Sequence, residues 1–303
     1  MRMSNPMMSG HVLSWLQQAQ ERLFGTQAHA ASGKRIMRPS DDPAGAARVS
    51  NLRSDFARNA QYLADIKTAN FWLSGAETAI QSATDAVKQL RDLAVQGASM
   101  LQTDSGRQAL AAAARQAYNR LVDVANEQLN GRYLFAGQAS SVAPFVATGG
   151  TPPMAFVGST VPPEINISPG ITVAAGITGD RLFNMGGAVD PTQEDLFTVA
   201  ERLATLLETG TGAEVSATIA ALDFHYDNLL ACRGDIGTRM QTCNMVADRL
   251  QGLQDGATAA ISELEDADLS EVLVQLGQEQ NAYQAAAGIA ASLNQVSLMD
   301  YLW

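Results

Sequence analysis

Lysine is almost missing from this chain. Lys34, Lys67 and Lys88 are the only ones in 303 residues, and arginine supplies the other cations. Twenty cations stand against 31 carboxylates, for a formal net charge of -11. That balance argues against nucleic acid as a partner, because phosphate binding needs a basic face. Aromatic residues are also scarce, at 6% against a hydrophobic content of 46%, which leaves little to line a catalytic cleft. His11, His29 and His225 are the only histidines, and none has a metal-ligand neighbour at helical spacing. No H-E-x-x-H, C-x-x-C, G-x-S-x-G or P-loop string occurs. No apolar run reaches the roughly 18 residues of a membrane-spanning helix. The N-terminal stretch MRMSNPMMSGHVLSWLQQAQ lacks an apolar core followed by a small-residue cleavage site, so no cleaved signal is expected. On these signals alone the protein reads as cytosolic.

Cys232 and Cys243 are the only cysteines. If one helix carries both, they lie roughly 16 Å apart along its axis. A disulfide needs Cα atoms within about 7 Å, so an internal bridge is excluded and both read as small buried residues.

What the chain has instead is helical periodicity, rich in alanine, glutamine and leucine. Over residues 7–31, Val12, Leu16, Ala19, Leu23, Thr26 and Ala30 recur at alternating spacings of four and three, a coiled-coil seam. Over 43–100, Leu52, Phe56, Leu63, Ile66, Leu73, Ile80, Val87 and Ala94 continue such a stripe. That predicts one helix of about 85 Å, longer than globular norms. A third helix is expected over 104–129 with Leu110, Ala114, Ala117, Leu121 and Val124 on one face, stopped by Asn130-Gly131, and RYLFAG reads as a short strand.

Residues 138–191 break the pattern with proline and glycine clusters around short β-branched runs, the mark of a small β-rich insertion. Helical spacing resumes near Leu196–Leu207 and then along Val215, Ile219, Leu222, Tyr226, Leu229, Ile236, Met240, Cys243 and Leu250. After an expected break at LQDGATAA, Leu269, Val272, Leu276, Tyr283, Ala286, Ala290 and Leu293 form a last seam. The fold class is therefore mainly α: a long antiparallel helical rod or coiled coil built from both chain ends, with a small β-rich inserted domain. Neither arm gains stability until its stripe is buried.

The stretch SGKRIMRPSDDPAG, residues 32–45, concentrates glycine, proline and charge. It lacks the upstream glycine and strand of a phosphate loop. Gly33 sits where a helix C-cap belongs, and Ser40-Asp41-Asp42-Pro43 where an N-cap and first-turn proline belong. Capping is therefore preferred to a metal site at Asp41 and Asp42. Lys34, Arg35 and Arg38 remain available to pair with acids. The acidic cluster Glu263, Glu265, Asp266 and Asp268 reads as a solvated face or a helix start. The polar faces of the end segments carry glutamine, serine and acid, so a partner helix suits them better than a membrane.

Several stretches together are similar to the bacterial flagellin family: MRMSNPMM, SGKRIMRPSDDPAGAARVSNLRS and NGRYLFAGQ near the N-terminus, then DIGTRMQTCNMV, ISELEDADLSEVLVQL and LNQVSLMDYLW near the C-terminus. The RPSDDP form and the SLMDYL ending resemble the hook–filament junction members rather than the filament subunit. Cys232, Cys243 and the terminal Trp303 depart from the family pattern.

The resemblance implies a structural, non-enzymatic subunit of an extracellular tube, exported without a cleaved signal, with no catalytic, cofactor or metal residues. It implies terminal coiled-coil helices over 1–40 and 258–303, a helical rod domain over 41–137 and 192–257, and an outer β-rich insertion over 138–191. The partners implied are hook-associated protein 1, flagellin, identical subunits in a ring and an export chaperone, with neither nucleic acid nor membrane. The expected assembly interface is Val12, Leu16, Leu23, Arg38, Asp41, Asp42, Leu269, Val272, Leu276, Tyr283 and Leu293. A filament subunit is the alternative. An enzyme active on the insertion is a remote one, since 138–191 holds neither histidine nor cysteine.

Overall fold

The computed structural model describes residues 5–99 and 103–299, and side chains only between 10 and 292 of these. It divides into two compact units, Asn59–Gln251 on one hand and Met1–Arg58 with Gly252–Trp303 on the other. Two long helices contribute to both: α2 (Pro43–Gly97) and α6 (Gly212–Glu265). The chain ends supply α1 (Asn5–Ser32) and α7 (Leu269–Met299). The rest is α3 (Asp104–Ala125), α4 (Gly179–Phe183), α5 (Leu196–Thr209) and six short strands. The protein is mainly α, with long helices from both ends and small antiparallel sheets.

In the 59–251 unit the heptad stripes become the core. Ile66, Leu73, Ile80, Val87 and Ala94 of α2 are buried, as are Val215, Leu222, Leu229, Ile236, Cys243 and Leu250 of α6, seven residues apart. The two helices run antiparallel, tied by Asn70 to Asn244, by Glu77 to Arg233 and by Arg91 to Asp223. Cys232 and Cys243 are both buried free thiols on α6, as the spacing required.

Thr103 caps α3 by accepting from the Gly106 amide at 3.2 Å. α3 buries Ala111, Ala114, Ala117 and Leu121 against α5, whose own Leu196, Phe197, Leu203 and Leu207 are fully covered. Arg107 closes the far end of α5 by donating to the carbonyls of Leu207 and Gly210.

α3 ends at Ala125, four residues earlier than its pattern predicts. Asn130-Gly131 does not stop it. That dipeptide takes positive φ at both positions and forms the turn between β1 (Gln128–Leu129) and β2 (Arg132–Tyr133). The geometry matches the twist of a two-residue hairpin. The RYLFAG strand shrinks to Arg132–Tyr133.

The insertion makes two further hairpins, β3 (Phe145–Ala147) with β4 (Met154–Phe156) and β5 (Glu164–Ser168) with β6 (Ile171–Ala174). Their interior is aromatic. Phe145, Phe156, Phe183 and Phe197 stack with centroids 5.0–5.3 Å apart, and Phe135 and Tyr118 extend the group at 6.2 and 6.3 Å. Six of the scarce aromatics gather here, where strands too short to bury themselves need large side chains.

In the other unit α1 and α7 pack on each other. Gly33 meets Ala267 and Arg22 meets Glu279, so the pair is antiparallel. The break expected at LQDGATAA is absent. α6 runs through Gly252 and Gly256 to Glu265, and the chain turns over Asp266–Asp268. Glycine in a helix interior costs about 1 kcal/mol, too little to break so long a helix.

Candidate functional site

The joint at residues 32–45 is built from both chain ends. Gly33, at φ +67, ends α1 and donates to the His29 carbonyl at 2.9 Å, the left-handed C-cap that glycine adopts without strain. Asp42 caps α2: its carboxylate accepts from the Gly45 amide at 2.9 Å, with Pro43 at the first helical position. Asp41 faces backward and accepts from the amides of Arg38 and Met37 at 2.8 and 3.0 Å. Those amide contacts hold both carboxyls below their ordinary range, Asp41 through Arg38 first and Asp42 through Gly45. Both aspartates work on the backbone.

Two of the three cations of this stretch find partners within the chain. Lys34 Nζ lies 2.9 Å from Glu265, and Arg35 reaches Asp42 at 3.4 Å and the Leu264 carbonyl at 2.7 Å. Arg38 is exposed. Sequence reasoning read the acidic cluster holding Glu265 as a solvated face or a helix start, and for Glu265 the structure corrects the solvated reading. Glu265 is 7% exposed and its carboxylate also takes Arg53 at 2.6 Å. Its carbonyl accepts from the Arg35 and Ile36 amides, while the Ala267 amide donates to Gly33. Asp268 caps α7 by accepting from the Ser270 amide at 2.8 Å. No periodicity marks a lone carboxylate whose partners lie more than 200 residues away, so only the folded chain reveals this node.

The predicted seam residues lie together. Val12, Leu16, Leu23 and Ala30 are half-buried and Ala19 and Thr26 buried on α1, and Val272, Leu276, Tyr283, Ala286 and Ala290 form the matching half-buried stripe on α7. Within this chain the two stripes cover one another. Leu269 is exposed, and the Leu293 side chain lies outside the described residues. The large apolar residues left uncovered are others: Leu13, Trp15 (62% exposed) and Phe24 (59%) on α1, and Leu273, Val274 and Ile289 on α7. Bulky residues off the seam, Trp15 above all, were the available sequence signal for that second face.

Between α1 and α7 a cleft of about 410 Å³ is lined by Arg22, Thr26, His29, Gln275 and Glu279 among others. His29 Nδ1 is 2.8 Å from the Lys34 carbonyl and is thus a turn-fastening donor. Among the described residues no group of three metal-ligating side chains converges, and no helix is long and apolar enough to cross a membrane. Burial pushes the Cys232 thiol up to about 11 and lowers His225 to about 4.

The bacterial flagellin N-terminal helical region matches residues 3–140 and the C-terminal helical region residues 219–302. Among curated proteins, the flagellar hook-associated protein 3 of Salmonella typhimurium is 26% identical over 319 residues, covering 99% of each chain. The Treponema maltophilum flagellar filament 30.7 kDa core protein is 23% identical, covering 90% of this chain and 89% of its own. Among solved structures, a putative flagellar hook-associated protein from Vibrio parahaemolyticus covers 75% of this chain and 100% of its own, with a TM-score of 0.68 at 21% identity. The flagellar junction protein FlgL from Legionella pneumophila covers 72% and 100%, with a TM-score of 0.60 at 15% identity. The two matched regions together span well over half of the sequence and take in the paired helices and the joint described above: the chain belongs to the bacterial flagellin family.

Proposed function

We propose that this protein is a non-enzymatic junction subunit of the bacterial flagellum, forming a ring that joins the hook, through hook-associated protein 1, to the flagellin filament. The observation that carries this reading is the pairing of α1 with α7. Both chain ends meet along one seam and leave Leu13, Trp15, Phe24, Leu273, Val274 and Ile289 uncovered. An unpaired apolar face of that kind is what a subunit brings to an assembly.

In this reading 1–40 and 258–303 are terminal assembly helices, 41–137 and 192–257 a helical rod domain, and 138–191 an outer insertion. Of the expected interface, Arg38 and Leu269 reach a neighbour as they stand. Val12, Leu16, Leu23, Val272, Leu276 and Tyr283 shape the pair that presents them, Leu293 belongs to the same expected interface, and Asp41 and Asp42 hold the joint. In the free subunit the ends are mobile, because a shallow seam offsets little ordering entropy. A chaperone shields the C-terminal segment before export, the protein leaves the cell without a cleaved signal, and it works outside.

The filament-core relative gives a second reading, a filament subunit. Gene deletion separates the two. Loss of a junction subunit leaves hooks intact and releases flagellin into the medium. Hooks that keep their junction but carry no filament, with no flagellin released, would overturn the junction reading in favour of the filament one.

A further inference from the structure

The α1–α7 seam specifies its own register poorly. Its α1 side reads Val12, Leu16, Ala19, Leu23, Thr26, Ala30 and its α7 side Val272, Leu276, Glu279, Tyr283, Ala286, Ala290. Both follow the four-three repeat of a coiled coil, so sliding one helix by seven residues again sets stripe against stripe. Half of the positions are alanine, threonine or glutamate, whose small or polar side chains penalise a slip weakly. Along the seam Arg22 and Glu279 form one ion pair at 3.2 Å, and Arg22 is over half exposed, a type worth little in water.

At the joint the situation reverses. Glu265 is buried between Lys34 and Arg53, and around it the Arg35, Ile36 and Ala267 amides cross-link the connector to the α6–α7 turn. Lys34 and Asp266 form an isolated antiparallel bridge. These bonds place Gly33, just past the end of α1, opposite Ala267.

We propose that Glu265 is a positioning residue, a register lock for the paired chain ends: its carboxylate, held by Lys34 and Arg53, selects one of several near-equivalent heptad alignments of α1 on α7. Lys34 and Arg53 are themselves 41% and 55% exposed, so their contacts add little net stability, but an alignment that left the buried Glu265 carboxylate without them would strand an uncompensated charge. The slipped alignments break those contacts. The native alignment keeps them.

The test is thiol trapping in the full-length protein. Thr26 and Gln275 line the same cleft, so a Thr26→Cys/Gln275→Cys variant reports the native register. Thr26→Cys/Ala282→Cys, seven residues further along α7, reports the slipped one. The native Cys232 and Cys243 are buried and remain in both backgrounds. With Glu265 present, a short bismaleimide cross-links the native pair. Adding Glu265→Gln raises slipped-pair cross-linking by on the order of tenfold, with helix content unchanged.

Arg53→Gln, which keeps the Lys34 contact, gives a smaller rise and remains informative if Glu265→Gln folds poorly. Cross-linking confined to the native pair in both variants would overturn the proposal. So would equal cross-linking of both pairs while Glu265 is intact.

Discussion

The two units use the same heptad spacing to different depths. In the 59–251 unit one residue per heptad is fully buried on each long helix, from Ile66 to Ala94 and from Val215 to Leu250, with Leu63, Ile219, Tyr226 and Met240 half-buried beside them, and an aromatic group closes the end that carries the hairpins. In the terminal unit the same spacing yields a stripe of half-buried residues with alanine and threonine at its most covered points, Ala19 and Thr26. Periodicity sets which residues face a partner, but side-chain volume sets how much water leaves. The terminal unit holds its chain ends by a joint at one end and a thin seam beyond it.

The largest contrast should appear in hydrogen exchange of the verified monomer. Amides over about the first 35 and last 45 residues should exchange on the order of a thousandfold faster than those of α2 between 66 and 94. Equal protection in the two regions would break the comparison and with it the idea that the ends fold on docking.

Core truncation should follow the same divide. Phe197→Ala removes a fully buried ring from the aromatic group and should cost about 3–5 kcal/mol in denaturant unfolding. Leu16→Ala on the half-buried seam should cost about 1 kcal/mol or less, seen in exchange of α1 and α7 with the main unfolding transition unmoved.

A pH titration sharpens the contrast further. His225 is 1% exposed, its Nε2 donates to the Glu194 carbonyl at 3.1 Å, and its Nδ1 has no partner. Its folded pKa is lowered to about 4 from 6.5, chiefly by burial. The unfolded chain therefore binds the extra proton first. The 59–251 unit keeps its full stability above pH 6.5 and loses about 3 kcal/mol as pH falls from 6.5 to 4. His225→Gln, whose amide can still donate to Glu194, should flatten that slope. An unchanged slope would show that other groups carry the acid sensitivity.

The smallest effects concern caps. Asp195 caps α5 through the Thr198 amide at 2.9 Å, and Asp195→Ala should lower global stability by about 1 kcal/mol. Asp42→Ala removes the equivalent contact on α2 in the terminal unit. It should appear as faster exchange in the first turn of α2, with the global midpoint unchanged.

Much of the fold was legible. Gly33 and Asp42 sat where a C-cap and an N-cap belong, and both make those bonds, because capping is a contact between near neighbours. The α2 and α6 stripes were legible because a 3.5-residue repeat has one buried face whatever its partner is. Gly256 in LQDGATAA misled because a helix secured by tertiary packing tolerates a local propensity cost. Asn130-Gly131 misled because the same dipeptide can end a helix or turn a hairpin, and two short strands captured it.

The sequence by itself determined most of the helices, a buried face on each long one, the caps around Gly33 and Asp42 and the kinship of the chain ends, since all of these follow from spacing and short-range hydrogen bonds. Tertiary structure decided which stripe covers which and which bulky residues stay uncovered. It also decided that Glu265, one acid in a polar run, is buried between Lys34 and Arg53. Those outcomes depend on groups more than 200 residues apart being brought within 3 Å of each other. A contact of that kind leaves no period in the chain, because it is fixed by the meeting of two helix ends and not by the pattern along either one.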